Sequence, residues 1–164
     1  MREWQVINRD VVEWRFLRTP ESTFMLDLVD FRIEIEVRGA RLAALRATDS
    51  DLAAIRTAYD EYKTYKVDDP QFLVMDERLH AAILKASHNR FFDQMTPIVR
   101  ASLGLVSKAW RALPDLGDEI VAAHGRVVAA IEARDPVAAE TAMRTLLSHM
   151  SDDVEYLIAR AQNG

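Results

Sequence analysis

The sequence contains no cysteine, and this absence excludes several kinds of chemistry. Without thiols the chain has no disulfide framework, no cysteine-ligated zinc or iron–sulfur cluster and no thiol nucleophile. Its 164 residues suit one compact domain. A domain of this size buries roughly 68–70% of the surface of its unfolded chain, so stability does not require a structural metal. We therefore expect a cytoplasmic protein whose core is held together by packing.

Glycine and proline are also scarce, with five of each, whereas alanine occurs 23 times. Few turn formers and many strong helix formers predict an all-α fold. Prolines and helix caps divide the chain into six or seven helices, and the short connections between them predict an antiparallel bundle. The predicted helices are about 22–46, a second ending near 66, 70–87, a fourth ending near 112 with a kink at Pro97, 116–133 and 136–160.

Positive charge is in the minority, and long hydrophobic runs are missing. The 21 lysines and arginines against 26 acidic residues give a net charge of −5, so this surface does not neutralise DNA phosphates by itself. No apolar run approaches the ~18 residues of a membrane span, and the N-terminus lacks the hydrophobic core of a signal peptide. A glycine-rich phosphate loop and a nucleophile elbow are absent as well. We expect no membrane association, and contact with DNA only through another segment.

Four polar residues interrupt the apolar stripes of the predicted helices. Asp76 and His80 are four residues apart and share the apolar face of the third helix. His124 and His149 lie among apolar residues of the fifth and sixth helices. Taken singly, each is most simply a hydrogen-bonded core residue. Together they resemble the metal sites that bundles build from facing helices, and the residues alone leave both interpretations open.

A second pair, Arg32 and Glu36, faces inward on the first predicted helix with the same i, i+4 spacing. A surface salt bridge worth at most ~1 kcal/mol is the alternative interpretation. Three tyrosines recur at intervals of three in the second helix, at positions 59, 62 and 65. We interpret the tyrosines as packing or interface residues.

Several motifs together resemble a known family, the FCD effector domain of FadR-subfamily regulators in the GntR superfamily. Within that subfamily the resemblance is to sugar-acid-responsive, galactonate-type repressors. The motifs occur in the family's order and at fitting distances, and they span 30–36, 40–44, 76–80, 83–89 and 124–136.

The resemblance has two local departures and a consequence for domain organisation. Leu79 stands where the family usually has phenylalanine, and His88 stands where it usually has glycine. Residues 1–20 look like the linker that follows the family's N-terminal winged helix-turn-helix, which this sequence does not include. Residues 21–164 then correspond to an effector-binding and dimerisation domain.

The resemblance implies a central cavity that holds a divalent metal ion. Asp76, His80 and His124 match three metal positions of the family. The family's remaining histidine falls at Leu146 in this sequence, and His149 lies one turn further along. We expect His149 to reach the ion or the ligand. Zinc is the expected ion, with nickel and manganese as alternatives that also accept nitrogen and oxygen ligands.

The ligand implied by the resemblance is a small carboxylate, in particular a sugar acid. Arg32 matches the family arginine that meets the ligand carboxylate, and Asn89 and Trp110 are expected to line the same cavity. The predicted function is effector sensing in a homodimeric transcription regulator that reads its operator through the winged helix-turn-helix, without enzymatic activity. Two alternatives are a small helical metalloenzyme with a His/His/Asp site and a purely structural adaptor.

Overall fold

The computed structural model describes residues 22–110 and 117–162, and within those ranges the fold is all-α without strands. Helix α1 (Ser22–Arg32) continues through a π-helical segment (Ile33–Val37) into α2 (Arg38–Arg46). The remaining helices are α3 (Asp49–Tyr62), α4 (Pro70–Ala86), α5 (Arg90–Trp110), α6 (Gly117–Glu132) and α7 (Pro136–Gln162). The predicted all-α bundle is confirmed. The predicted linker at residues 1–20 lies outside the described residues.

The helices begin at the signals that the sequence contains. The Thr48 side chain accepts the N–H of Asp51, and the Asp51 carboxylate accepts the N–H of Thr48, which forms a complete capping box at the start of α3. Asp69 caps α4, whose first residue is Pro70. These caps fix where α3 and α4 begin.

The predicted end of the second helix, near residue 66, is wrong. Helix α3 ends at Tyr62. The N–H groups of Thr64 and Tyr65 donate to carbonyls only three residues back, on Glu61 at 3.1 Å and on Tyr62 at 3.2 Å. These tighter turns end the α-helical geometry and direct the chain towards α4.

The π-helical segment is the irregular part of the first long helix. A π turn inserts one extra residue into an α-helix and frequently marks a functional site. Arg32 immediately precedes this segment and Glu36 lies within it, and their side chains are each 1% exposed. The segment therefore directs the side chains of Arg32 and Glu36 towards the interior of the bundle.

The main core lies between α2, α3, α4, α6 and α7. Buried residues include Leu79 and Ile83 of α4, Val127 of α6, and Met143 of α7. A smaller cluster joins α1 to α5. Within residues 22–110 and 117–162, none of the helices combines the length and the apolar character that a membrane crossing requires.

Candidate metal centre

Three ligand-type side chains meet in the interior of the bundle. Asp76 and His80 project from consecutive turns of α4, and His124 projects towards them from α6. All three are at most 2% exposed. The His124 Nε2 lies 3.0 Å from Asp76 Oδ1, and the His80 Nε2 lies 3.1 Å from His124 Nε2 and 3.7 Å from Asp76 Oδ1. Three possible ligand atoms thus surround one point.

The other nitrogen of each imidazole determines which atom faces that point. His124 Nδ1 lies 2.8 Å from the Ile120 carbonyl, which can only accept, so this nitrogen carries a proton. His80 Nδ1 donates in the same way to the carboxylate of Glu36. When the two rings are neutral, both Nε2 atoms therefore present lone pairs to the Asp76 carboxylate. Three acceptors facing one another repel unless positive charge lies between them.

The pKa values of His80 and Asp76 also indicate that this point favours positive charge. Burial alone would lower the pKa of the His80 imidazole, but the Glu36 and Asp76 carboxylates raise it above its ordinary value. Burial alone would raise the pKa of Asp76, but His124, His80 and Arg32 lower it. The surrounding carboxylates would therefore stabilise a cation at this point, either a proton or a metal ion.

The donor set and its spacing fit a divalent metal ion. Two ligand atoms at about 2.0–2.1 Å from one zinc ion lie about 3.0 Å apart at a right angle and about 3.4 Å apart at a tetrahedral angle. The three observed separations of 3.0, 3.1 and 3.7 Å bracket that range. Both Asp76 oxygens are buried and receive no hydrogen bond. A buried carboxylate in this condition is costly, and coordination to a cation would remove the cost.

A chain of buried charges holds His80 in place. Arg32 Nε donates to Glu36 Oε1 at 2.5 Å, and Glu36 Oε2 accepts the His80 Nδ1 proton. Burial alone would raise the pKa of the Glu36 carboxyl, but Arg32 and His80 lower it to about 2. Histidine ligands of metals usually donate their second N–H to such a carboxylate or to a carbonyl. The surface salt bridge considered for Arg32 and Glu36 is therefore wrong.

The structure does not bring His149 into this centre. Among the described residues, the group of ligand-type side chains within 4.8 Å of one another is Asp76, His80 and His124. Helix α7 presents Leu146 and Leu147 to the core, whereas His149 is exposed. The apolar stripe of this helix therefore directs His149 to solvent. His88 is exposed as well, and its Nε2 pairs with Asp51 at 2.8 Å.

Asn89 and Trp110 are the other two residues expected to line the cavity, and the structure describes the side chain of Asn89 only. Asn89 is half-buried, and its Oδ1 accepts the N–H of Phe91 at 3.0 Å, which makes it a cap of α5. That acceptor is already engaged. The side chain of Trp110 lies outside the described residues.

Sequence reasoning missed the place of two residues. The inward pair of Arg32 and Glu36 was visible in the i, i+4 spacing, but the contact of Glu36 with His80 joins residues 44 positions apart. The sequence predicts a packing or interface role for Tyr62, and its ring lies edge-on to His124 with 5.0 Å between the ring centroids. The regular spacing of Tyr59, Tyr62 and Tyr65 in the sequence gives no signal of that contact.

Comparisons with known proteins identify relatives of the whole fold. The profile of the FCD domain matches residues 27–149. The galactonate operon transcriptional repressor of Escherichia coli is 30% identical over 153 residues, which cover 89% of this chain and 64% of that protein. A regulatory protein assigned to the L-lactate dehydrogenase operon of Escherichia coli is 28% identical over 144 residues, which cover 82% and 52%.

A solved structure agrees with these sequence relatives. The GntR protein of Streptococcus agalactiae superposes with a TM-score of 0.65 at 26% identity, and the match covers 85% of this chain and 62% of that one. The chain thus spans less than two thirds of the length of each of the three proteins. The two relatives named for operons are transcription regulators rather than enzymes, in agreement with the expectation from sequence.

Proposed function

The chain belongs to the FCD domain family, and we propose that it is the sensor domain of a cytoplasmic transcription regulator that binds a small carboxylate at a divalent metal ion. One observation carries this proposal. The lone pairs of His80 and His124 and the unpaired carboxylate of Asp76 converge in a buried space that favours positive charge. Such a centre needs a cation, and three protein ligands leave positions on the ion for a ligand from outside.

The ligand that we propose is a sugar acid or a related hydroxy acid. Two sequence relatives are named for the galactonate and L-lactate dehydrogenase operons. When bound, the ion supplies an electrophilic point that attracts a carboxylate oxygen. The Arg32 guanidinium is close enough to lower the pKa of Asp76, so it adds positive charge beside the same centre. An anion there meets two cationic groups in a site shielded from water.

The helices that meet at the centre provide a route from ligand binding to regulation. Asp76 and His80 belong to α4, His124 belongs to α6, and Glu36 belongs to the π-helical segment. A ligand that binds one arrangement of these helices more tightly shifts the protein towards that arrangement. In the homodimer that we propose, this shift changes the spacing of two winged helix-turn-helix domains on operator DNA.

The metal assignment is tested by removing one imidazole at a time. We expect His80→Ala and His124→Ala to lose the ion during dialysis, because the remaining donors cannot complete its coordination. His88→Ala is the matched control, since His88 is exposed and pairs with Asp51. Metal content is measured by elemental analysis after dialysis against zinc-free buffer. Stoichiometric metal in all three variants would show that these histidines are not ligands.

The ligand assignment is tested by thermal shift with sugar acids and with long-chain acyl compounds. We expect sugar acids to raise the melting temperature of the metal-loaded protein and Arg32→Ala to abolish this rise, with the metal content of each variant measured alongside. Arg32→Lys is included because it retains a cation beside Glu36 while losing the fork that binds a carboxylate through two N–H groups. The ligand assignment fails if acyl compounds stabilise the protein and sugar acids do not.

A further inference from the structure

Tyr62 is fully buried beside the metal centre, and its hydroxyl has no hydrogen-bond partner. The residue ends α3, and its ring packs 4.6 Å from the ring of Phe72 and 5.0 Å from that of His124, measured between centroids. Phe72 lies one turn before Asp76 on α4. The tyrosine ring is thus held between two helices that both carry ligands of the centre.

Packing alone does not account for a tyrosine at this position. Phenylalanine would fill almost the same space without burying an unpaired hydroxyl, which is unfavourable. The two oxygens of Asp76 are also buried and without hydrogen bonds. Unsatisfied donors and acceptors in one interior are typical of a site whose partner is a ligand.

The hydroxyl is suited to donating a hydrogen bond. An ordinary tyrosine hydroxyl has a pKa of about 10. The group therefore keeps its proton at neutral pH. A neutral O–H in a buried site favours an oxygen acceptor with negative charge.

We propose that Tyr62 is a specificity residue whose hydroxyl donates a hydrogen bond to a carboxylate oxygen of the ligand bound at the metal centre. This inference rests on the proposed function, since it requires the ion and its carboxylate ligand. It adds a contact from α3, so that ligand binding joins this helix to α4 and α6. The phenol acts on the ligand and not on the metal, because Asp76, His80 and His124 already provide the protein donors.

The test compares Tyr62→Phe with wild type and with Tyr59→Phe in the 164-residue chain. Tyr59 lies one turn earlier on α3, and its hydroxyl already donates to the Val121 carbonyl at 3.3 Å, so it is a matched control. Each protein is loaded with Co²⁺, whose visible absorption reports both binding of the ion and changes in its ligands. Acetate is then added as the carboxylate probe, and its dissociation constant is measured from the same spectrum.

We expect all three proteins to bind one Co²⁺ with similar affinity. The dissociation constant for acetate should rise about tenfold or more in Tyr62→Phe, because a buried hydrogen bond to a charged oxygen is lost. In Tyr59→Phe it should stay within about twofold of wild type. A purely structural role of Tyr62 would not produce this separation of metal affinity from acetate affinity.

Three other outcomes overturn the inference in distinguishable ways. Equal acetate affinity in wild type and Tyr62→Phe shows that the hydroxyl does not contact the ligand, and the proposed function stands. Loss of Co²⁺ from Tyr62→Phe alone shows that the phenol acts on the ion itself. Failure of the wild type to bind Co²⁺, or acetate after Co²⁺, contradicts the proposed function, and the inference fails with it.

Discussion

At the scale of single residues, the interior of this bundle contains a series of buried ionisable groups in contact with one another. Arg32, Glu36, His80 and Asp76 follow one another through contacts between buried side chains. Charges in a protein interior are tolerated when each has a partner, and removing one member leaves its neighbour unpaired. The series ends at Asp76, whose oxygens receive no hydrogen bond. The unbalanced end of the series is therefore where we expect the cation.

Glu36→Gln tests the link between this series and the metal. We expect the affinity for Zn²⁺ to fall about 10–100-fold, because a neutral amide orients His80 less firmly and makes it a weaker donor to the ion. The affinity is measured by competition with a chromogenic chelator. Glu34→Gln is the control, since Glu34 is exposed on the same π-helical segment. Equal affinities in the two variants would show that Glu36 does not position His80.

The sequence predicts part of the centre because helical spacing determines which side chains share a face. Asp76 and His80 follow that rule, and His124 interrupts an apolar stripe in the same way. The rule fails for His149, because the helices packed against α7, and not the sequence of α7 alone, determine how wide a face of this helix is buried. The role of Glu36 depends on a contact with His80 across 44 positions. No pattern within one helix contains that information.

At the scale of helices, the start of α3 has a capping box and is also contacted by His88, which lies between α4 and α5. Asp51 accepts the backbone N–H and the hydroxyl of Thr48 at 2.8 and 2.7 Å, and it pairs with His88 at 2.8 Å. His88 has a φ of 49°, in the left-handed region where the family resemblance expects glycine. The contact with Asp51 offsets part of the strain of that backbone conformation.

Asp51 makes the stability of the start of α3 dependent on pH. Hydrogen bonds from the side chain and backbone of Thr48 lower the pKa of Asp51 from 3.8 to about 2, with a contribution from His88. Because the folded-state pKa is the lower one, the stabilisation is complete above about pH 4 and is lost as the pH falls through about 2. We expect Asp51→Asn to lower the free energy of unfolding by about 1 kcal/mol at pH 7, the usual contribution of a cap.

The measurement is chemical denaturation of both proteins from pH 7 to pH 2. The difference in unfolding free energy between wild type and Asp51→Asn should shrink below about pH 4 and fall to a small fraction of its value at pH 7 by pH 2, where about half of the folded wild-type molecules carry a protonated Asp51 carboxyl. A difference that stays constant over this range would mean that the charge of Asp51 does not contribute to the cap.

The helix boundaries show why local signals predict a fold of this kind well. Caps and prolines are encoded within a few residues, so the starts of α4 at Pro70 and of α7 at Pro136 were predicted correctly. The end of α3 was not, because no glycine or proline marks it. The π-helical segment was also missed, since Ile33–Val37 has the composition of an ordinary helix. Its extra residue is stabilised by buried contacts with other helices.

At the scale of the whole molecule, the net charge of −5 makes this chain a poor partner for DNA. We expect the 164-residue chain to show no sub-micromolar binding to duplex DNA at low salt, because its surface offers little to replace the counterions of the phosphates. Fluorescence anisotropy with a labelled duplex, titrated at two salt concentrations, measures this. Tight binding that weakens steeply with added salt would assign a DNA contact to this part of the protein.

The first long helix also has the form of a lever. Its 11-residue arm α1 is about 16 Å long and joins the π-helical segment that contains Glu36. Phe24 and Leu28 pack this arm against α5 in a small cluster, whereas Val29 of the same arm packs into the main core. A tilt of about 10° at the π turn moves the far end of such an arm by about 3 Å. A small adjustment at the proposed metal centre that tilted the helix at this point would therefore be amplified towards the N-terminal side of the chain.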